Sequence, residues 1–232
     1  MAQLIPDGDV TSWGRQVNGD LIRKGLINCA LTKPMVAEVQ GVPVYCCTDR
    51  VNADYKEYVA FDTIRKQLMV TFYAQVRGNQ PRMHLFKPDL GVTQTLIWKY
   101  EAWMLHSGFA TDFMLDVLLV NRKAPFIISD FQQTSYGRNM WLAVMATAMR
   151  RGYKIYYGIY DSRDNSNTLI ILDDVGQIVD HYPFEIVQPE RLYQNRCALI
   201  LNKNESIESY LDNPDSVRIV TNDTAEKLHI YD

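Results

Sequence analysis

The chain has 232 residues, of which 47% are hydrophobic and 22% charged, with a net charge of −3. That is enough chain for one large domain with a proper core, and the charge balance does not favour non-specific nucleic-acid binding. The first residues lack the apolar stretch of a signal peptide, and no window approaches the roughly 18 apolar residues of a membrane span, so a soluble cytoplasmic protein is expected. Its four cysteines, Cys29, Cys46, Cys47 and Cys197, form no CxxC pair and are expected as reduced thiols. The four histidines, His84, His106, His181 and His229, are scattered, so no metal site is expected.

In chain order, a short helix is expected around Asp20–Cys29, then a strand over Val42–Cys47 in which Cys46 and Cys47 face opposite ways. Tyr58–Phe61 and Gln67–Val76, rich in β-branched and aromatic residues, read as an antiparallel hairpin, and Met83–Phe86 as a further short strand. Thr95–Met104, with Trp98, Tyr100 and Trp103, suits strand or helix, with helix favoured. Ala110–Asn121 follows the 3.6-residue period through Phe113, Met114, Val117 and Leu118, capped by Thr111 or Asp112.

Pro125 stops that helix and starts a strand at Phe126–Ser129. Trp141, Val144, Met145 and Ala148 then mark the buried face of a second helix. It ends with Arg150, Arg151 and a C′ glycine, Gly152. Lys154–Tyr160 is the next strand, so the unit is a βαβ crossover. Asp161–Asn167 is a polar loop. Thr168–Leu172 and Gln177–His181 read as a second hairpin about the Asp173–Gly176 turn, followed by a strand at Cys197–Leu201. The tail holds a short helix at Glu205–Leu211 and a strand at Val217–Thr221. The sum is α+β: a mixed, mostly antiparallel twisted sheet with helices on both faces. The division is 1–57, an N-terminal annex or the first strand and helix of the same domain; 58–201, the core; and 202–232, a C-terminal extension.

The turn between the central strand and its helix is the place for an anion, because a helix N-terminus carries partial positive charge and unpaired N–H groups. The stretch Thr134-Ser135-Tyr136-Gly137-Arg138-Asn139 resembles the pyrophosphate-binding turn of the GNAT N-acetyltransferase family, with Gly137 on its central glycine. Thr134 and Asn139 depart from the usual Gln or Arg and second small residue. The wording "PFIISDFQQTSYGRNMW" is also similar to GNAT-like proteins of tailed bacteriophages, over roughly Tyr58 to Tyr160.

The resemblance implies a GNAT-like fold and transfer of an acyl group from acetyl-CoA or another acyl-CoA to an amine. Residues 134–139 would hold the cofactor, Asp130 would serve as base or amine ligand, and Tyr160 would stand near the leaving thiolate. The family usually supplies that acid from a following helix, and here a polar loop replaces it. Two alternatives are a catalytically degenerate relative that binds a bacterial host enzyme or defence factor in the host cytoplasm, and a virion-associated structural protein.

Overall fold

The computed structural model describes residues 4–5, 19–48, 55–62, 67–75, 86–87, 93–99, 108–121, 125–129, 135–178, 194–228 and 230. Its strands are β1 (Leu4–Ile5), β2 (Met35–Val39), β3 (Val42–Thr48), β4 (Tyr55–Asp62), β5 (Gln67–Gln75), β6 (Thr93–Lys99), β7 (Phe126–Ile128), β8 (Lys154–Asp161), β9 (Ser166–Leu172), β10 (Gln194–Leu201) and β11 (Val217–Thr221). They form one mixed sheet in the order β11-β9-β8-β10-β7-β6-β5-β4-β3-β2, with β1 beside β6. The pairs β1/β6, β6/β7 and β9/β11 are parallel and the remaining pairs are antiparallel. An α+β architecture is therefore what the chain adopts. Residues of the N-terminal annex and of the C-terminal extension supply edge strands, β2 and β11, to the same sheet.

Helices α1 (Gly19–Thr32), α2 (Phe109–Asp112), α3 (Ser135–Arg150) and α4 (Asn222–Lys227) accompany the sheet. Strand alternation assigns the faces. Val44, Tyr58 and Ala60 join Ile127, Ile155, Tyr157 and Ile200 in the main core, where α3 buries Trp141, Val144, Met145 and Ala148. The expected 3.6-residue stripe of α3 is thus the face that packs. On the other face, Tyr45, Cys47, Val59 and Phe61 lie under α1, while Phe126, Ile128, Tyr156 and Leu199 form a separate cluster with Phe86 and Leu211.

Several local expectations change. Residues 95–99 belong to strand β6, because β5 pairs along one edge and β1 takes the other at Ile97 and Trp98; residues 100–104 lie outside the described residues. The helix over 110–121 is α2 continued by a π-helix, Phe113–Asn121. Its N-cap is Gly108, in the left-handed conformation at φ 72°, rather than Thr111 or Asp112. Thr111 is buried, and Asp112 instead accepts from Arg151 at 2.6 Å, with Asp116 accepting from the same guanidinium at 2.9 Å. This ties the C-terminal turn of α3 to α2, and Gly152 follows at φ 78° as the expected C′ residue.

The second hairpin is formed by β8 and β9, not by residues 168–181. Val175–Ile178 is a 3₁₀ turn, because the Asp174 carboxylate and the Gln177 amide oxygen accept from nearby backbone N–H groups and close it locally; residues 179–181 lie outside the described residues. Residues 207–210 are 3₁₀ rather than α-helical. Of the expected strand over 83–86, Phe86 makes a single bridge to Leu211, and the remainder is outside the described residues.

Cys29 and Cys47 are joined in a disulfide, with Cα atoms 6.1 Å apart. This corrects the expectation of reduced thiols for those two residues: α1 folds back over β3 and brings the sulfurs together. Cys46 and Cys47 do face opposite sides. Cys46 and Cys197 are thiols outside the disulfide. Burial pushes the Cys197 thiol up to about 12, against a smaller opposing hydrogen bond at the Gly158 backbone. Iodoacetamide at pH 8 should therefore modify half-buried Cys46 in the native protein and leave Cys197 intact. Peptide mass mapping checks this, and labelling of Cys197 at the rate of an open thiol would contradict the buried position.

Candidate functional site

Strands β7 and β8 both run antiparallel to β10, so they are parallel to each other, with β10 between them. The expected crossover β7–α3–β8 is present, but it does not join neighbouring strands. Residues 194–201 return from far along the chain and fill the gap. The N-terminus of α3 and the C-terminal ends of β7 and β8 consequently share one end of the sheet, the position where ligands gather in open α/β sheets.

At that end β7 closes onto β10 through Ser129. Its N–H donates to Ala198 O at 2.8 Å, and its Oγ accepts from Ala198 N at 2.8 Å. On the α3 face, Arg196, Ile159, Thr168 and Arg218 stand side by side across β10, β8, β9 and β11. Arg196 and Thr168 are buried, at 6% and 7% exposure.

The sequence "DSRDNSN" folds as the tight β8–β9 turn for local reasons. Asp161 Oδ1 accepts from Arg163 N at 2.9 Å, Asp164 Oδ1 accepts from Ser166 N at 3.0 Å, and Asn165 takes the left-handed φ of 60°. Arg163 also clasps the Asp161 carboxylate, with Nη2 at 2.6 Å and Nε at 3.0 Å. The Asp161 side chain is 12% exposed and the Arg163 side chain 58%, so this pair fixes the turn more than it stabilises the fold.

Between this turn, the start of β11 and Ile230 lies a cleft of about 390 Å³. Ile159 and Thr168 form part of its lining, with the Asp161–Arg163 pair, Asp215, Arg218 and Asn167 around them. The Asn167 Oδ1 is buried and has no hydrogen-bond partner among the described residues. Asn167 pairs with Tyr160 across β8 and β9, so its side chain stands on the Tyr160 face of the sheet, whereas Asp161, Thr168 and Arg218 stand on the α3 face. Carboxylates and guanidiniums of both signs fit a charged, polar ligand. Among the described residues no group of three or more His, Cys, Asp or Glu could hold a metal, and no helix is long and apolar enough to cross a membrane.

The predicted site residues divide. Helix α3 starts at Ser135, so Ser135, Tyr136, Gly137, Arg138 and Asn139 form its first turn instead of a turn ahead of it. Gly137 is buried there, Arg138 half-buried and Asn139 exposed. Asp130 and Thr134 lie outside the described residues, as do the four histidines. Tyr160 stands at the same end of the sheet but not on the α3 face. It packs with the cluster on the opposite face of the sheet, and its hydroxyl donates to Asn165 Oδ1 at 2.7 Å. Its neighbour Asp161 is the β8 residue that shares the α3 face.

Asn167, Asp215 and Arg218 were missed as cleft residues. The one local signal was Asn167-Thr168, polar residues opening an otherwise apolar strand where asparagine is disfavoured. Comparison with protein families, curated proteins and solved structures finds no match to this chain.

Proposed function

We propose that this protein acts by binding a partner through the cleft at the β8–β9 turn. The observation that carries this reading is the cleft itself, which gathers the Asp161–Arg163 pair, Asp215 and Arg218 around Ile159 and Thr168. The partner class is a charged, polar segment of another protein, and the resemblance to phage GNAT-like proteins makes a bacterial host enzyme or defence factor the candidate. Acyl transfer is less favoured because Tyr160 faces away from α3 and its hydroxyl is engaged by Asn165. The test is capture from bacterial lysate by the wild type and by Arg218→Glu. A partner held by the wild type and lost from the variant is expected. Equal capture by both, or none by either, removes the reading.

A second reading has its own support. Helix α3 begins where the parallel strands β7 and β8 end, with a buried glycine in its first turn, and such an end suits the pyrophosphate of an acyl-CoA. On this reading an amine is acylated, and the proton donor is a residue other than Tyr160. Acetyl-CoA at a hundredfold its dissociation constant should then add about 2.7 kcal/mol, and Arg138→Glu should weaken the effect. For a chain of this size the gain is about 5–10 °C in Tm. An unchanged melting curve at millimolar acetyl-CoA would sink this second reading.

A further inference from the structure

We propose, resting on the partner-binding reading above, that the cleft takes a carboxylate of the partner chain. Arg218 and Thr168 hold it, and an apolar side chain of the same segment lies on Ile159 and Ile230. Arg218 and Thr168 are register partners on β11 and β9, so their side chains stand next to each other on the α3 face. Arg218 is exposed and makes no hydrogen bond or ion pair among the described residues. Thr168 lines the cleft at 7% exposure, and its hydroxyl makes no hydrogen bond among the described residues. A buried hydroxyl without a partner is uncommon, because nothing offsets its loss of water. A ligand oxygen in the cleft supplies the acceptor.

The other charges of the lining are already engaged, with one exception. Arg163 is clasped on Asp161, so the two offset each other. Asp164 Oδ1 accepts from Ser166 N within the turn. Asp215 is exposed and makes no hydrogen bond or ion pair among the described residues. The cleft therefore presents the Arg218 guanidinium, the Thr168 hydroxyl and the Asp215 carboxylate to an incoming group. A carboxylate with a neighbouring N–H answers all three, since Arg218 and Thr168 donate to its oxygens while Asp215 accepts from the N–H. A polypeptide residue that carries a carboxylate, at the chain end or on a side chain, brings such an N–H with it. A phosphate dianion suits the place less, because Asp161, Asp164 and Asp215 all line it.

Size limits the ligand further. At about 390 Å³ the cleft is at the small end of ligand sites, with room for a residue and its neighbour. Ile159 is buried in the main core, and Ile230 packs against that core with its N–H donating to Ala225 O at 3.0 Å. An apolar side chain laid on these two leaves water. Arg218 is exposed, so its ion pair keeps contact with solvent and escapes the full desolvation cost. The apolar contact thus carries affinity and the ion pair selectivity.

The test is an NMR titration of the isotope-labelled full chain with three probes. N-acetyl-leucine carries a chain-end carboxylate, an N–H and an apolar side chain. N-acetyl-leucinamide lacks only the charge, and N-acetyl-glutamyl-leucinamide moves the carboxylate to a side chain. N-acetyl-leucine should shift the Thr168 and Arg218 amides with a Kd of about 1–10 mM, and the leucinamide should bind at least about tenfold more weakly. Tighter binding of the glutamyl compound assigns the carboxylate to an acidic side chain, and the reverse order assigns it to a chain end; both support the proposal. Arg218→Gln and Thr168→Val should each weaken N-acetyl-leucine about fivefold or more. Arg218 is exposed, so its variant should keep wild-type shifts away from the cleft.

No shift at Thr168 and Arg218 in about 50 mM N-acetyl-leucine would overturn the proposal. So would equal binding of the leucinamide, or wild-type affinity in Arg218→Gln. The two readings fail separately. Lysate capture that depends on Arg218, with no binding of the probes, leaves the partner and removes the carboxylate. Probe binding with no partner from lysate leaves the carboxylate site and removes the partner.

Discussion

Replacement of Trp141 by alanine is expected to destabilise the protein by about 3–5 kcal/mol, lowering Tm by about 10 °C or more at the size of this chain. Trp141 is fully buried in the main core, on the face of α3 that packs against the sheet with Val144, Met145 and Ala148. Removing the indole leaves a void that a rigid sheet cannot fill. The informative comparison is Trp141→Phe. The indole Nε1 is buried and has no hydrogen-bond partner among the described residues. Phenylalanine loses part of the packing, about 1–2 kcal/mol, and removes an unpaired N–H that costs about 1–3 kcal/mol to bury. The two terms oppose, so Trp141→Phe should change stability by less than about 1 kcal/mol. Denaturant unfolding of the two variants measures this. A phenylalanine variant as unstable as the alanine one would mean that the indole N–H holds a partner in solution.

Ser129→Ala should cost about 2 kcal/mol by a different mechanism. Strand β7 has only three residues, and its pairing with β10 is completed by the Ser129 side chain, whose Oγ accepts from the Ala198 amide. Both residues are fully buried. Alanine removes the acceptor and leaves the Ala198 N–H in a dry interior, where water cannot replace it. The Ser129 N–H still donates to Ala198 O, so the strands stay in register. Loss of stability should therefore be accompanied by faster hydrogen exchange at Ala198, with β8 and β9 little changed. An alanine variant with wild-type stability and an unchanged Ala198 amide would show that the hydroxyl is not the partner that matters.

Different physics separates what could be read from the chain from what could not. The stripe Trp141, Val144, Met145, Ala148 and the Arg151–Gly152 ending placed α3, because a helix repeats every 3.6 residues whatever lies beyond it. The β4–β5 hairpin and strands β3, β8 and β11 were legible from β-branched and aromatic runs for the same local reason. The class, an α+β chain with a mixed sheet, follows from that order of elements.

Residues far apart decided the remainder. Nothing within residues 194–201 announces that this strand inserts between β7 and β8; the pairing partners lie dozens of residues upstream, and only the assembled sheet selects them. Strand β6 is a strand because β5 pairs along one edge while β7 and β1 share the other. Tyr160 and Asp161 are neighbours in the chain, and the two-residue period of β8 sends them to opposite faces. That alternation put Tyr160 on the face opposite α3 and brought Asp161 into the cleft with Arg218.

The sequence by itself determined the local elements and the buried stripe of α3, since both depend on short-range periodicity. Tertiary structure alone decided strand order, the Cys29–Cys47 linkage and the membership of the cleft, because each requires segments that are distant in the chain to meet.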